Sequence, residues 1–433
     1  MSDSKLPAEV ELVYDVMPCN AMRTAQEPLP GKHPCTYFRQ WGTYHSFDYV
    51  MDGPPHVIGI PLEVKYVGRA ALVPEILSGC RKAPIVAIGI NPNLPGWFKS
   101  KKGSINPLFD DYKQYAHYFR YRSTYKLIIS ESDYKEYGGG DTDNPFSDFE
   151  LKIPMDGQGN RKVTAKVDTQ TMYTGYLGLL KEMAHKLGWD NSKLSLEEDF
   201  AYMNMVACPS AHWTTRTDPS DPQMPPMTIP QRNGIINECF HHRKHFFRQL
   251  FQSLPKVIMV FSDTTAQPFI SEMQGNFTKG NPQPGEKVAD LIGRNIRLRY
   301  GTLDDGTILD ARVIFSPHIS GNPATFAKLR SKVLKQLVNE ARAGGLSFNT
   351  QTGHLRRPRG SCLFCPMLEI GPCPYENELR PVSLSPGLLA DTAAPADVQM
   401  EKLAQQKLME EFIKVRPSNS KAWKDEVDMS ARV

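Results

Sequence analysis

The sequence has no long hydrophobic run; none of its apolar stretches approaches the length of a membrane span. It also lacks a basic start followed by a greasy stretch. "MSDSKLPAEVELVY" opens the chain without the pattern of a secretory signal, so export is not expected. Cysteine is sparse, 8 in 433 residues, too dilute for a disulfide framework. The thiols are therefore expected to be reduced or to bind metal. Charge of neither sign dominates. Lys and Arg number 51 against 47 Asp and Glu, a formal +4, which permits nucleic-acid binding without demanding it. There are no internal repeats. The expectation is an intracellular protein away from membranes, cytoplasmic in a bacterium and nuclear in a eukaryote.

What is present suits a real core. Apolar residues make up 40% of the chain, and its length allows one large domain with extensions. Four short apolar runs read as buried strands: "PIVAIGI" (84–90), "FAYMNMVAC" (200–208), "KVIMVFS" (256–262) and "ARVIFSPH" (311–318). "HVIGIPLEVKYV" (56–67) is a further strand candidate. Between the runs lie amphipathic helical patterns over 169–189, 237–254 and 323–345, the last closing on Gly344 and Gly345. Short apolar strands alternating with such helices predict a three-layer α/β/α domain around a mostly parallel, four-stranded sheet. That domain is expected over 76–345, with a long insertion at 99–168. Residues 1–75 read as an extension packed on it. Residues 346–433 read as a tail with a cysteine cluster and a charged amphipathic helix (397–415).

In open parallel sheets ligands bind beyond the carboxyl ends of the strands. The residues delivered there are Asn91, Asn204 and His318. A neutral Asn is a poor base, but its carbonyl oxygen can hold a water for a leaving group that departs largely unaided. A histidine opposite can stabilise charge developing on that leaving group. A second Asn offers both a donor and an acceptor to a base edge. Trp97, Phe98 and Phe109 could stack on the base. Together these residues describe hydrolysis of the glycosidic bond to a flipped nucleobase. The segment "FDDYKQYAHYFRYRSTYKL" (109–127) interleaves Tyr with Lys and Arg, Arg120 and Arg122 among them. It reads either as a phosphate-contacting and base-stacking element or as an amphipathic helix burying Tyr112, Tyr115 and Phe119. Lys101 and Lys102 sit in a basic loop that reaches DNA only if the crevice is beside it.

Three motifs carry a resemblance. "GINPN" (89–93) resembles the first motif of the uracil-DNA glycosylase superfamily, closest to the Gly-x-Asn-Pro-Gly of its mismatch-specific and single-strand-selective branches. "PHISGNPATF" (317–326) resembles the second, and "YMNMVACPS" (202–210) is similar to the base-reading strand. The resemblance spans about residues 83–335, in the family's order. It implies a glycosylase fold with Asn91 positioning the attacking water, His318 stabilising the departing base and Asn204 reading it. Ser320, Gly321 and Asn322 would lie on the loop that enters DNA. The implied activity is a monofunctional DNA glycosylase that leaves an abasic site, in base-excision repair or in defence against modified phage DNA. The implied partner is DNA, single- or double-stranded. This sequence departs from the pattern with Asn93 in place of Gly, with His-Ile-Ser in place of His-Pro-Ser, and with a longer insertion. The rival readings are a non-catalytic nucleic-acid-binding protein on the same fold and a hydrolase of free nucleosides.

"CLFCPMLEIGPC" spaces Cys362, Cys365 and Cys373 as C-x2-C-x7-C, and such a pair chelates well. With His354 as a fourth ligand it would make a structural zinc knuckle. No cofactor is required for catalysis. A thermophile-type branch of the superfamily instead carries a four-iron [4Fe-4S] cluster on a C-x2-C pair, one Cys after the base-reading strand and one on the next helix. Cys208 and Cys239 fall at comparable places. In that branch the pair precedes the first motif, whereas here it lies far downstream. Cys19, Cys35 and Cys80 form no such pair, so zinc is the expectation.

Overall fold

All four apolar runs become strands of one sheet. The computed structural model describes residues 74–92, 112–121, 171–210, 227–360, 362–369, 371–379 and 394–415. It also describes Leu12, Val13, Asp15, Val16, Cys19, Trp213 and short pieces at 34–35, 43–44, 63–67, 71–72, 106–108, 126–130 and 160–164. The strands are β1 (Ile85–Gly89), β2 (Phe200–Asn204), β3 (Val257–Phe261), β4 (Phe277–Lys279), β5 (Ile296–Thr302) and β6 (Ile308–Ser316). Their order is β4-β5-β6-β3-β1-β2. The run β6-β3-β1-β2 is parallel throughout.

Side-chain alternation along these strands feeds two separate cores. Ile85, Ala87, Val257, Met259, Phe261 and Ile314 enter one, while Val86, Ile88, Ile258, Val260, Val313 and Phe315 enter the other. The helices are α1 (Tyr112–Arg120), α2 (Thr171–Leu187), α3 (Ile229–Asn237), α4 (His245–Ser253), α5 (Asp263–Met273), α6 (Pro323–Arg342) and α7 (Ala394–Val415). The first core is closed by Tyr115 and Phe119 of α1, Leu179 and Met183 of α2, and Val333 and Leu337 of α6. The second is closed by Phe246 and Leu250 of α4, Phe269 of α5, and Leu408 and Phe412 of α7. Helices therefore cover both faces, as a buried parallel sheet requires. Among the described residues no helix is long and apolar enough to cross a membrane.

The structure adds to the expected architecture in four places. The sheet has six strands, because β4 and β5 extend it antiparallel beside β6. In "IRLRYGT", Ile296, Leu298 and Tyr300 are buried and Arg297 and Arg299 alternate with them, a half-buried alternation rather than an apolar run. The helix expected over 237–254 is broken. A π-helical turn, Glu238–His242, follows α3, and Lys244 takes a left-handed φ of 56° before α4 starts. Glu238 anchors the turn by accepting from Arg243 Nε at 2.7 Å, with His242 Nδ1 at 2.8 Å. The insertion is not without regular structure. Its strands at 106–108, 126–130 and 160–164 join strand 63–67 in a second, four-stranded sheet. The tail is fastened down. Phe348 stacks on Trp189 at 5.6 Å, and Phe412 of α7 meets Phe247 and Phe251.

Burial holds two histidines neutral. Desolvation, with help from Arg248 and Arg243, lowers His245 to about 3; desolvation and Arg120 lower His117 to about 4. Both values lie below the ordinary 6.5, so the unfolded chain binds protons that the folded chain does not. Stability is then intact above about pH 6.5 and falls as the pH drops towards 4 and 3. Urea-unfolding midpoints measured across this range should decline with acid, and less steeply in His245→Gln. A flat wild-type profile would contradict the assignment.

Candidate active site at the carboxyl edge of the sheet

β1 ends at Gly89, and Asn91 follows two residues on. Asn204 is the last residue of β2, and His318 follows β6 by two residues. β1 and β2 are neighbours, with Gly89 directly opposite Asn204. β6 lies beyond β3, two strand spacings from β1, on the order of 10 Å. All three residues thus share one edge, with the asparagines adjacent and His318 across the end of β3.

Asn91 is buried, 7% exposed. Its Nδ2 donates to the Pro92 carbonyl at 2.9 Å and to Ser210 Oγ at 2.6 Å. A backbone carbonyl can only accept, so the contact with Pro92 decides which end of the amide carries the hydrogens. Oδ1 is then the atom left to engage a water. Pro92 O also accepts from the Ser210 N–H at 3.0 Å, which ties the turn after β1 to the segment after β2. Ser210 is thus a positioning residue that no local sequence signal marks.

Asn204 is held just as firmly. Its Oδ1 accepts from the Tyr202 hydroxyl at 2.7 Å, and its Nδ2 reaches Glu75 Oε2 at 3.5 Å. An amide has two donors and two lone pairs, so one of each remains for a base edge. Tyr202 was legible in principle, since residues i and i+2 of a strand share a face. Gly89 makes the arrangement possible. A Cβ there would fall inside van der Waals contact of the Tyr202 hydroxyl and 2.7 Å from Asn204 Oδ1.

His318 is half-buried, and its Nδ1 accepts from the Gly321 N–H at 2.8 Å, with Ser320 Oγ at 3.2 Å. An N–H donor fixes Nδ1 as the acceptor, so the neutral ring carries its proton on Nε2. Burial lowers the pKa of the imidazole below its usual range. The ring is thus a neutral donor held by the loop that follows it. Ser320, Gly321 and Asn322 are exposed on that loop, and Asn322 caps α6 by accepting from the Thr325 N–H at 3.3 Å. The start of α2 spans the gap between the two sides. Tyr173 and Tyr176 contact the Tyr202 ring, and a Cβ on Gly175 would come within 2.6 Å of Ile319. At the end of β3 between them, Ser262 has φ 76°, a conformation that costs a non-glycine residue free energy.

Trp97, Phe98, Phe109, Lys101, Lys102 and Arg122 lie outside the described residues. Arg120 is not on a DNA-facing surface: it is 1% exposed and donates to both carboxylate oxygens of Glu198 at 2.7 and 2.9 Å. Tyr115 and Phe119 of the same helix are buried, the amphipathic alternative for this segment. His354, expected as a zinc ligand, commits Nδ1 to Asp199 at 2.8 Å and meets the Tyr375 ring edge-on.

Four cysteines gather where the sequence spacing gave no pair. Cys19, Cys35, Cys208 and Cys239 are all buried in the second core. Burial raises the thiols of Cys35 and Cys239, and the other members of the group push them further. The π-helical turn carries Cys239, and the Pro34 ring lies against Gly234 of α3 beside it. Among the described residues, no three His, Cys, Asp or Glu side chains stand as a ready-made cage for one metal ion. The donor set, buried and all-thiol, is of the kind that holds an iron–sulfur cluster. No protein-family model matches the chain, and none of the curated proteins matches it.

Two measurements check this geometry. In NMR titration His318 should titrate below pH 6.5 as a neutral Nε2–H tautomer, and a normal or raised pKa would sink the assignment. Gly89→Ala should cost about 1–3 kcal/mol by overpacking, measured by urea unfolding. Part of that loss should return in Gly89→Ala/Tyr202→Phe, which removes the hydroxyl in the way; full additivity would count against the contact.

Proposed function

We propose that the protein is a monofunctional DNA glycosylase of the uracil-DNA glycosylase type, acting on a flipped uracil-like or modified base. The observation that carries this reading is the Asn91 amide, locked so that only its carbonyl oxygen is left for a water, with a neutral histidine donor on the same sheet edge. A neutral amide cannot take the proton from water, so the reaction must be one in which the leaving group departs first. The C1′–N bond breaks with its electron pair going to the base, and the Nε2–H of His318 stabilises that charge. The water held at Asn91 Oδ1 then adds to the sugar cation and loses its proton to solvent, which leaves an abasic site. Asn204, oriented by Tyr202, offers its remaining donor and acceptor to the base edge. Neither motif contains a lysine nucleophile, so no strand cleavage by the protein itself is assigned. Cys19, Cys35, Cys208 and Cys239 are the residues that would hold a four-iron cluster of the thermophile-type branch. It would fasten the N-terminal segment to β2 and α3 and take no part in the reaction.

An abasic-site assay tests the reading. DNA carrying uracil, a G:T mismatch, hydroxymethyluracil or a glycosylated cytosine is incubated with protein and then treated with alkali. Wild type should break at least one substrate, and Asn91→Ala and His318→Ala should each be slower by about a hundredfold. No breakage on any substrate favours a non-catalytic binder, and release of base from free nucleosides favours a nucleoside hydrolase. Equal breakage by the variants removes the site assignment.

A further inference from the structure

α6 carries a line of cations that the glycosylase reading leaves unused. Lys328, Lys332, Lys335 and Arg342 are all exposed. Their spacings of four, three and seven residues place them in one row, opposite the Phe326, Val333 and Leu337 side chains that enter the first core. The row is about 21 Å long at 1.5 Å per residue. No acid interrupts it, because Glu340, the one acidic residue of α6, is buried and accepts from Arg297 Nη1 at 3.1 Å. Arg330 turns aside to pair with Glu182 of α2, and among the described residues the four cations of the row have no carboxylate partner. A helix face that is merely solvated mixes its signs, as "MEKLAQQKLMEEFIK" of α7 does. α2 packs beside α6 and exposes Lys181 and Lys186. Together the two helices hold seven lysines and arginines against two acids, an excess larger than the formal +4 of the whole chain. The net positive charge of the protein is thus concentrated on one layer.

We propose that this face of α6 binds the phosphate backbone of single-stranded DNA leading away from the flipped base. Two constraints choose the partner. The first is charge: a straight row of unpaired cations complements a polymer whose negative charges are regularly spaced. The second is direction. β6 ends at the carboxyl edge of the sheet, the chain turns through residues 317–322, and α6 runs back over the sheet with Val333 and Leu337 in the core beneath it. The row therefore starts beside the exposed Ser320, Gly321 and Asn322 and leads away from the edge that holds Asn91 and His318. Duplex DNA is stiff, with a persistence length of about 150 base pairs, so it would cross the edge and touch the row only at its Lys328 end. A single strand can turn from the edge onto the helix and meet Lys328, Lys332 and Lys335 in succession. Such backbone contacts fix position and carry no sequence information. The proposal rests on the DNA-directed part of the glycosylase reading and not on its chemistry; a binder without activity would keep it.

The test is fluorescence anisotropy with a short labelled DNA, as a single strand and as its duplex, over a series of salt concentrations. Asn91→Ala serves as the parent, so that turnover plays no part and the glycosylase reading is judged separately by the abasic-site assay. The parent should bind the single strand more tightly than the duplex. Adding Lys328→Gln, Lys332→Gln and Lys335→Gln together should weaken single-strand binding roughly tenfold and flatten the slope of log affinity against log salt by about 2, since each phosphate contact contributes about 0.7. Lys279→Gln with Lys287→Gln, which removes exposed charges on and near β4, should change neither. No DNA binding by the parent, or an unchanged slope in the triple variant, overturns the proposal. So does duplex bound more tightly than the single strand, or an equal loss on both. Loss of binding to anionic phospholipid vesicles in place of DNA would make the face a membrane surface and overturns it too. If the triple variant folds poorly, the three single variants decide, each flattening the slope by about 0.7.

Discussion

A missing methyl group sets the geometry of the sheet edge. Gly89 and Asn204 are partners in parallel register, and the space above the Gly89 Cα is taken by the Tyr202 hydroxyl and the Asn204 amide. Any side chain at 89 would separate the two strands or push Tyr202 off Asn204. Because the register holds, the chain after each strand continues in step. Met205 N–H donates to Gly89 O and Val206 N–H to Ile90 O, both at 2.9 Å, and Ser210 arrives at Asn91. The orientation of both asparagines therefore follows from one close approach of backbone to side chain.

Hydrogen bonds here serve orientation more than stability. Each is worth roughly 1 kcal/mol net. Their larger effect is to remove rotamers from Asn91, Asn204 and His318, so that a water, a base edge and a leaving group would each meet a group already aimed. The supporting residues are Ser210, Tyr202 and Gly321, and none of them would itself touch the reacting atoms. Beneath them, the segments outside the main run of the sheet are tied back into it. Leu12, Val13 and Val16 are buried in one core, Cys19 and Cys35 in the other, and α7 lies along β5.

The fold was largely legible because a sheet covered on both faces needs continuous apolar strands, and four of these stand out in the sequence. The two antiparallel strands were not, since "IRLRYGT" buries one face only and "FTK" buries almost nothing. The break at Lys244 was hidden for a different reason. Apolar periodicity runs through "NECFHHRKHFFRQLF" without Gly or Pro, and the turn is made by side-chain bonds to Glu238. Arg120 was misplaced because basic and aromatic residues alternate alike on a phosphate-binding face and on a helix whose Arg is buried against a carboxylate.

By itself the sequence determined the four buried parallel strands, the helices α2, α6 and α7, and the three polar residues at the strand ends, because periodicity and chain order are local properties. It also determined that the eight thiols are too dilute for a disulfide framework. Only the tertiary structure decided which atom of Asn91 bears its hydrogens and which nitrogen of His318 accepts. The tertiary structure alone likewise brought Cys19, Cys35, Cys208 and Cys239 into one buried core. The physical reason is common to all three. Each depends on contacts between segments far apart in the chain, brought together by strand order in the sheet, and spacing along the sequence carries no record of that order.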